Sequence, residues 1–263
     1  MNANTSQVLV ERRGLACHVT IDRAAEHNTM TDGVMEELRQ ALLAAETMDG
    51  VRAIVLTGAG HQTFCAGGKL EHGAGGSPFA LDPGRFDNPV AELFRAMDRC
   101  NLPIVARVNG SAFGGGVGLI CACDFAIAVD SARFGTTEAR VGVFPMMILP
   151  LLMRVIPRRH LQEMCFLAER FPAGKALQLG ILNQAVPQGE LDAAVDALVA
   201  KLAANSPVAL RMGRRAFAAM SGLPLADALN LAQMVLPVMS QSEDSKEGMR
   251  AFMEKRDPVW TNR

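Results

Sequence analysis

The order of elements along the chain predicts an α/β fold that passes into a helical region. Three observations carry that prediction. Between residues 8 and 129, apolar runs of strand length alternate with segments whose apolar residues recur every three to four positions, the pattern of helices laid over a sheet. Two of those runs end in glycine-bearing turns, Gly58-Ala59-Gly60 and Asn109-Gly110, where the chain must turn sharply. From Leu191 onward, segment after segment carries apolar residues at helical spacing with no strand between them.

Residues 8–22 read as a hairpin, with Leu15, Cys17, Val19 and Ile21 alternating against Ala16, His18, Thr20 and Asp22 around an Arg13-Gly14 turn. That alternation puts His18 on the wetter face. After a loop over 23–30, Thr31 serves as N-cap of a helix reaching Thr47, with Met35, Leu38, Leu42 and Ala45 on one stripe. Residues 51–57 are almost continuously apolar, as a buried strand is. Residues 61–88 are interrupted by Gly73, Gly75, Gly76, Pro78, Pro83 and Gly84 and read as a long loop of the kind usually kept for function or left disordered.

A helix over 90–100, carrying Leu93, Phe94 and Met97, leads through Pro103 to a strand over 104–108, a glycine turn, a short helix and a strand over 124–129. Beyond Phe134, Pro150 and Pro157 punctuate one helical element, Pro172 opens another that Gly180 closes, and residues 182–186 form a last strand. Helices then follow over 191–204, 207–220, 224–241 and 243–255. They hold more apolar residues than the rim of a small core needs, so this part is expected to pack on another subunit. The chain thus divides into a core over 1–195 and a helical region over 196–263.

A hydrophobic content of 49% can build a sizeable core, and a net charge of −1 offers no broad attraction to nucleic acid or an anionic membrane. Small ligands held by local features fit better. The six cysteines include no C-x-x-C pair and several lie in apolar runs, which reads as reduced, buried thiols. The first residues lack a basic-then-apolar leader and no apolar run approaches a bilayer's thickness, so a cytoplasmic protein is expected, without a metal site.

The chemistry is expected at Asn109-Gly110-Ser111-Ala112-Phe113-Gly114-Gly115-Gly116-Val117-Gly118, between a strand and a helix. Glycines at a helix start let backbone N–H groups approach a ligand, and the helix end favours negative charge. The spacing is neither that of a phosphate-binding loop nor that of a nucleophile elbow. The same glycines would also serve simply to pack a helix tightly against a sheet. A second glycine-bearing turn, Thr63-Phe64-Cys65-Ala66-Gly67-Gly68-Lys69-Leu70, follows the strand over 51–57. Two N–H donors from separate turns could therefore converge.

These two turns, Phe134-Gly135-Thr136-Thr137-Glu138-Ala139-Arg140-Val141-Gly142 and the C-terminal stretch Ser242 to Arg256 together resemble the enoyl-CoA hydratase/isomerase (crotonase) superfamily, in order, from about Val8 to Trp260. The resemblance implies a spiral of ββα units related to the ClpP fold, a C-terminal helical trimerisation region, and a homotrimer or homohexamer. It also implies an acyl-CoA thioester as substrate, of the kind used in fatty acid metabolism, with coenzyme A as part of the substrate and no separate cofactor. Gly68 and Gly115 would give two N–H groups to the thioester oxygen. Ala66 would meet the adenine, His27 and Asn28 would line the way in for CoA with residues up to Met30, and Phe252 and Lys255 would lie near a neighbouring subunit's CoA. The physics of the oxyanion agrees, since one preorganised donor is worth roughly 2.7–4 kcal/mol in comparable sites.

By the same resemblance Glu138 is the acid/base, held among Phe144, Met146, Met147 and Ile148, while Gly118 stands where two-glutamate hydratases carry their second carboxylate. Three readings remain open. Glu138 alone handles water and the α-proton, as in a single-glutamate enoyl-CoA hydratase; or it shuttles a proton between C2 and C4, as in a Δ3,Δ2-enoyl-CoA isomerase; or Glu71, His72, Asp87 or Glu92 joins it. Lys69 departs from a position that is often acidic and reads as solvent-facing. Two other classes stay in view: a non-catalytic acyl-CoA binder, and an RNA-binding protein using Arg154, Arg158, Arg159, Arg211, Arg214 and Arg215.

Overall fold

The computed structural model describes residues 6–68 and 88–263. The expectations placed on Lys69, Glu71, His72, Asp87 and most of the loop 71–89 lie outside the described residues.

The chain opens with the hairpin β1 (Val8–Arg13) and β2 (Ala16–Ile21), turned at Gly14 with φ +57°. Helix α1 (Asp32–Thr47) starts where expected, with the Thr31 hydroxyl accepting from Val34 N at 3.2 Å, and Met35, Leu38, Leu42 and Ala45 are all buried. Three pairs of strands follow, each a long one and a short one: β3 (Ala53–Gly58) and β4 (Thr63–Cys65), β5 (Ile104–Val108) and β6 (Ser111–Phe113), β7 (Phe125–Val129) and β8 (Arg133–Gly135). Helix α2 (Pro89–Arg99) separates the first two pairs and α3 (Gly115–Ala122) the last two.

The long strands join one sheet in the order β1-β2-β3-β5-β7-β10, where β10 is Gln184–Val186, and every pairing except β1 with β2 is parallel. The short ones build a second sheet, β4-β6-β8-β9, completed by Phe171–Pro172 as β9. Each pair therefore climbs from one sheet into the other before the next helix returns the chain, which is the spiral of ββα units. The second sheet had no sequence counterpart, because two- and three-residue strands carry too few positions to display a period.

His18 is a correction. It is 9% exposed, not on a wet face, and Leu15 is 47% exposed. β2 lies inside the sheet between β1 and β3, with α1 on one side. On the other runs α7 (Leu191–Ala203), whose Leu191, Val195, Val199 and Leu202 are buried against β3, β5 and β7. Asp196 of α7 and Arg107 of β5 lie within electrostatic reach of the imidazole, and burial depresses its pKa. The boundary drawn at residue 195 falls inside this continuous helix.

Between the sheets and α7 come α4 (Leu149–Val155), α5 (Arg158–Leu167) and α6 (Ala173–Gln178). The last helices are α8 (Pro207–Met220), α9 (Leu225–Ser240) and α10 (Glu243–Glu254). Arg214 fastens α8 to the core by an ion pair with Asp124 at 2.7 Å and a hydrogen bond to Met97 O at 2.8 Å, its side chain 9% exposed. Asp124 in turn accepts from Ile104 N at 2.7 Å, so the clamp reaches the start of β5. In contrast, α9 buries no residue although Leu225, Leu229, Met234, Leu236 and Val238 lie along it.

All six cysteines are free; four are buried, while Cys121 and Cys123 are half-buried. Among the described residues no single helix is long and apolar enough to cross a membrane.

Candidate active site

Three turns meet above the C-terminal ends of β3 and β5. Two buried asparagines hold them together. Asn28 is fully buried, with Nδ2 donating to Ala59 O at 2.9 Å and Thr63 O at 2.7 Å and Oδ1 accepting from Arg23 N at 3.1 Å. Asn109, also fully buried, accepts from Gly58 N at 3.2 Å and donates to Gly60 O at 2.8 Å. The first therefore ties the residue 23–30 loop to the turn after β3, and the second ties that turn to the end of β5. Neither asparagine was legible as a hub, because nothing in a sequence marks an amide that is saturated by distant backbone.

The turn over 65–68 is held further by Ala66 N donating to His27 O at 3.1 Å and Met30 N donating to Gly67 O at 2.9 Å. Gly67 has φ +96°, so only glycine turns the chain there without strain. A Cβ on Gly67 would stand 3.1 Å from Gly115 N, and one on Gly115 would stand 3.6 Å from Gly68 N. The two predicted donors, Gly68 and Gly115, are thus neighbours across the two turns. Gly115 is the first residue of α3, so its N–H has no acceptor within the helix. A Cβ there would also overlap the Met30 methyl at 2.5 Å, which makes Met30 a wall of the same recess.

Glu138 begins a short 3-10 turn, Glu138–Val141, directly after β8. Its carboxyl faces the glycine turn: a Cβ on Gly114 would lie 2.9 Å from Oε1. Gly114 has φ +51°, and its N–H donates to Gly135 O at 2.9 Å, which docks the two segments. Glu138 Oε2 is buried without a hydrogen-bond partner among the described residues. Burial raises the carboxyl above its ordinary 4.5, opposed by its own backbone N–H. A carboxyl in this state holds a proton more readily than one in water and can give it up to a base presented beside it.

Of the apolar residues expected around Glu138, Ile148 is buried and Phe144 half-buried, with the Phe144 ring against Phe166 at 5.8 Å. Met146 and Met147 are exposed in the isolated chain, a correction to the expected enclosure. Gly118 is fully explained by packing. A Cβ on it would meet Ile148 Cγ2 at 2.3 Å and Phe94 Cζ at 3.4 Å, so the place of a second carboxylate is filled by apolar side chains. Glu92 is paired with Arg95 on α2.

Ala66 is half-buried and His27 exposed, on either side of the hydrogen bond that joins their loops. Phe252 is 79% exposed on α10, and Lys255 caps that helix with φ +54°. Both belong to a helix that packs on α8 and α9. Of the arginines weighed as an RNA-binding face, Arg154 pairs with Asp98, Arg211 with Asn262, Arg214 with Asp124 and Arg215 with Asn101.

Comparison with known proteins identifies the family. Residues 11–263 match the family model described as enoyl-CoA hydratase/isomerase. The carnitinyl-CoA dehydratase of Escherichia coli K12 is 33% identical over 262 residues, covering 96% of this chain and 97% of the relative. Solved enoyl-CoA hydratases from Mycobacterium smegmatis (28% identity, TM-score 0.88, 97% of this chain and 98% of theirs) and Mycobacterium tuberculosis H37Rv (30%, 0.86, 98% and 100%) superpose over nearly the whole length.

Proposed function

The chain belongs to the enoyl-CoA hydratase/isomerase family, and on that premise we propose that it hydrates a 2-enoyl-CoA thioester, or dehydrates the corresponding 3-hydroxy thioester, with Glu138 as the sole carboxylate acid/base. The observation that carries this reading is the buried Glu138 oxygen, without a partner among the described residues, with the carboxyl against the Gly114 turn.

In the hydration direction the thioester oxygen rests between Gly68 N–H and Gly115 N–H. Water attacks C3 as Glu138 takes one of its protons, and the C2=C3 electrons move onto the thioester oxygen to give an enolate. The two N–H groups stabilise that oxyanion, and Glu138 returns the proton to C2. One water is consumed and the carboxyl ends as it began. The names of the relatives, hydratase and dehydratase, favour chemistry of this kind at C2 and C3.

A second reading is favoured by the Gly118 site: with Ile148 and Phe94 where a water-activating carboxylate would stand, Glu138 could carry a proton between C2 and C4, isomerising a 3-enoyl thioester with no water taken up. A panel of 2-enoyl-, 3-enoyl- and branched acyl-CoAs tests both. Hydration consumes the conjugated absorbance of the 2-enoyl thioester, whereas isomerisation creates it from the 3-enoyl isomer. Turnover of neither class would overturn the proposal and leave an acyl-CoA binder.

The site is expected to be completed by another copy. The unburied apolar length of α9, together with Phe252 and Met253 on α10, supports a homotrimer, or a hexamer of two trimers, in which Lys255 approaches a neighbour's CoA.

A further inference from the structure

The segment that carries Glu138 is held to the oxyanion turn upstream through Gly135 O, and downstream it meets α3 through Ile148. Upstream, Phe134, Gly135 and Thr136 are buried in or beside β8. Downstream, residues 138–147 are exposed or half-buried apart from Pro145, and the side chain seen to meet α3 is that of Ile148, 3% exposed. Its Cγ2 and Cβ lie 2.3 Å and 2.8 Å from where a Cβ on Gly118 would be, so it sits in a notch on α3 that exists only because residue 118 has no side chain. Gly118 does not have a positive φ, so the glycine serves the fit rather than the backbone.

The notch is on the helix whose first residue is Gly115. Phe144, half-buried in the same segment, packs its ring on Phe166 of α5 instead. We infer that Ile148 is a positioning residue: seated in the Gly118 notch, its β-branch fixes the Glu138 carboxyl relative to the Gly115 N–H. The inference rests on the acid/base role proposed for Glu138. A shift of the segment on α3 would change the distance between proton carrier and oxyanion donor, and a displacement of about 1 Å can cost up to ~10²-fold in rate.

The test is a pair of substitutions that separates branching from volume. Ile148→Val keeps Cγ2 in the notch but is smaller; Ile148→Leu keeps the volume, so the fold tolerates it, but moves the branch away from Cβ. We expect Ile148→Val to retain kcat and Ile148→Leu to lose about tenfold or more in kcat at unchanged KM. Gly118→Ala, which drives a methyl onto Cγ2, should lower kcat in the same way. A residue that merely filled space would give the opposite order, with Leu tolerated and Val slower. Equal rates for the pair, or wild-type kcat in Gly118→Ala, would overturn the inference. Glu138→Gln run alongside keeps the two ideas apart: if it turns over like wild type the acid/base reading fails, whereas if it is inactive and the Val and Leu variants do not differ, only the role of Ile148 fails.

Discussion

Gly116→Ala is the most informative single change in the glycine turn. Gly116 is the second residue of α3 and is buried, and a Cβ on it would stand 2.1 Å from Cys65 O and 2.9 Å from Cys65 C. Both are backbone atoms and cannot swing aside. Ordinary contact begins at 3.4 Å, so the two turns must part by about 1.3 Å to admit the methyl. Cys65 lies three residues before Gly68 and Gly116 one residue after Gly115, so this movement opens the gap between the two N–H donors. The overpacking costs roughly 1–3 kcal/mol, offset by the ~1 kcal/mol that alanine gains over glycine in a helix, and the protein should fold. The misplaced donors should lower kcat/KM by up to ~10²-fold, equivalent to about 2.7 kcal/mol at the transition state. The assay is the change in conjugated absorbance on a 2-enoyl-CoA, with melting temperature measured alongside. Wild-type kcat/KM in the folded variant would refute the idea that the contact between these turns sets the oxyanion geometry.

Other outcomes follow from particular groups. Glu138 is raised above its ordinary 4.5 in the folded chain, so its ionisation opposes folding: stability is fully present below that value and declines as pH rises through the raised one. Glu138→Gln does not titrate, so its melting temperature relative to wild type should climb as pH rises from about 4.5 through the raised value; a flat difference would count against a desolvated carboxylate. Asp244, fully buried, accepts from Thr261 N at 2.8 Å, Asn262 N at 3.1 Å and Ser206 Oγ at 3.0 Å, clasping the C-terminal tail to the start of α8. Burial works against its charge, but these donors hold the carboxyl below its ordinary value, so the clasp loosens only as pH falls through that lowered value. Asp244→Ala should cost about 1–3 kcal/mol and free the tail, which the fluorescence of Trp260, the only tryptophan, will report. Light scattering should give a trimer or hexamer; a full-length monomer that binds acyl-CoA would contradict the packing expected of α9.

Much of the site could be read from the sequence because it is built from backbone and glycine, whose roles leave local marks. The second glycine-bearing turn lies against the glycine run, and Gly115 stands at the start of a helix, as the glycine pattern after two strands suggested. α1 was legible because burial on one stripe imposes a helical period, and the long strands because burial on both faces leaves a continuous apolar run. What escaped depends on partners distant in the chain. His18 alternates like a surface residue but is covered by α7, some 170 positions later, and Met146 and Met147 look like core yet stand exposed. Gly118 looked like a missing carboxylate, and only packing revealed that Ile148 and Phe94 occupy its place. The short strands of the second sheet are fixed by register with one another rather than by their own sequence.

The most direct measurement is exchange of the C2 proton of a bound saturated acyl-CoA in heavy water, followed by mass spectrometry for wild type and Glu138→Gln. It reads proton transfer at the α-carbon without depending on whether the overall reaction is hydration or isomerisation. We expect wild type to exchange and Glu138→Gln to exchange roughly 10²–10⁴-fold more slowly while binding the thioester equally well. Equal exchange rates in the two proteins would contradict Glu138 as the group that moves the proton.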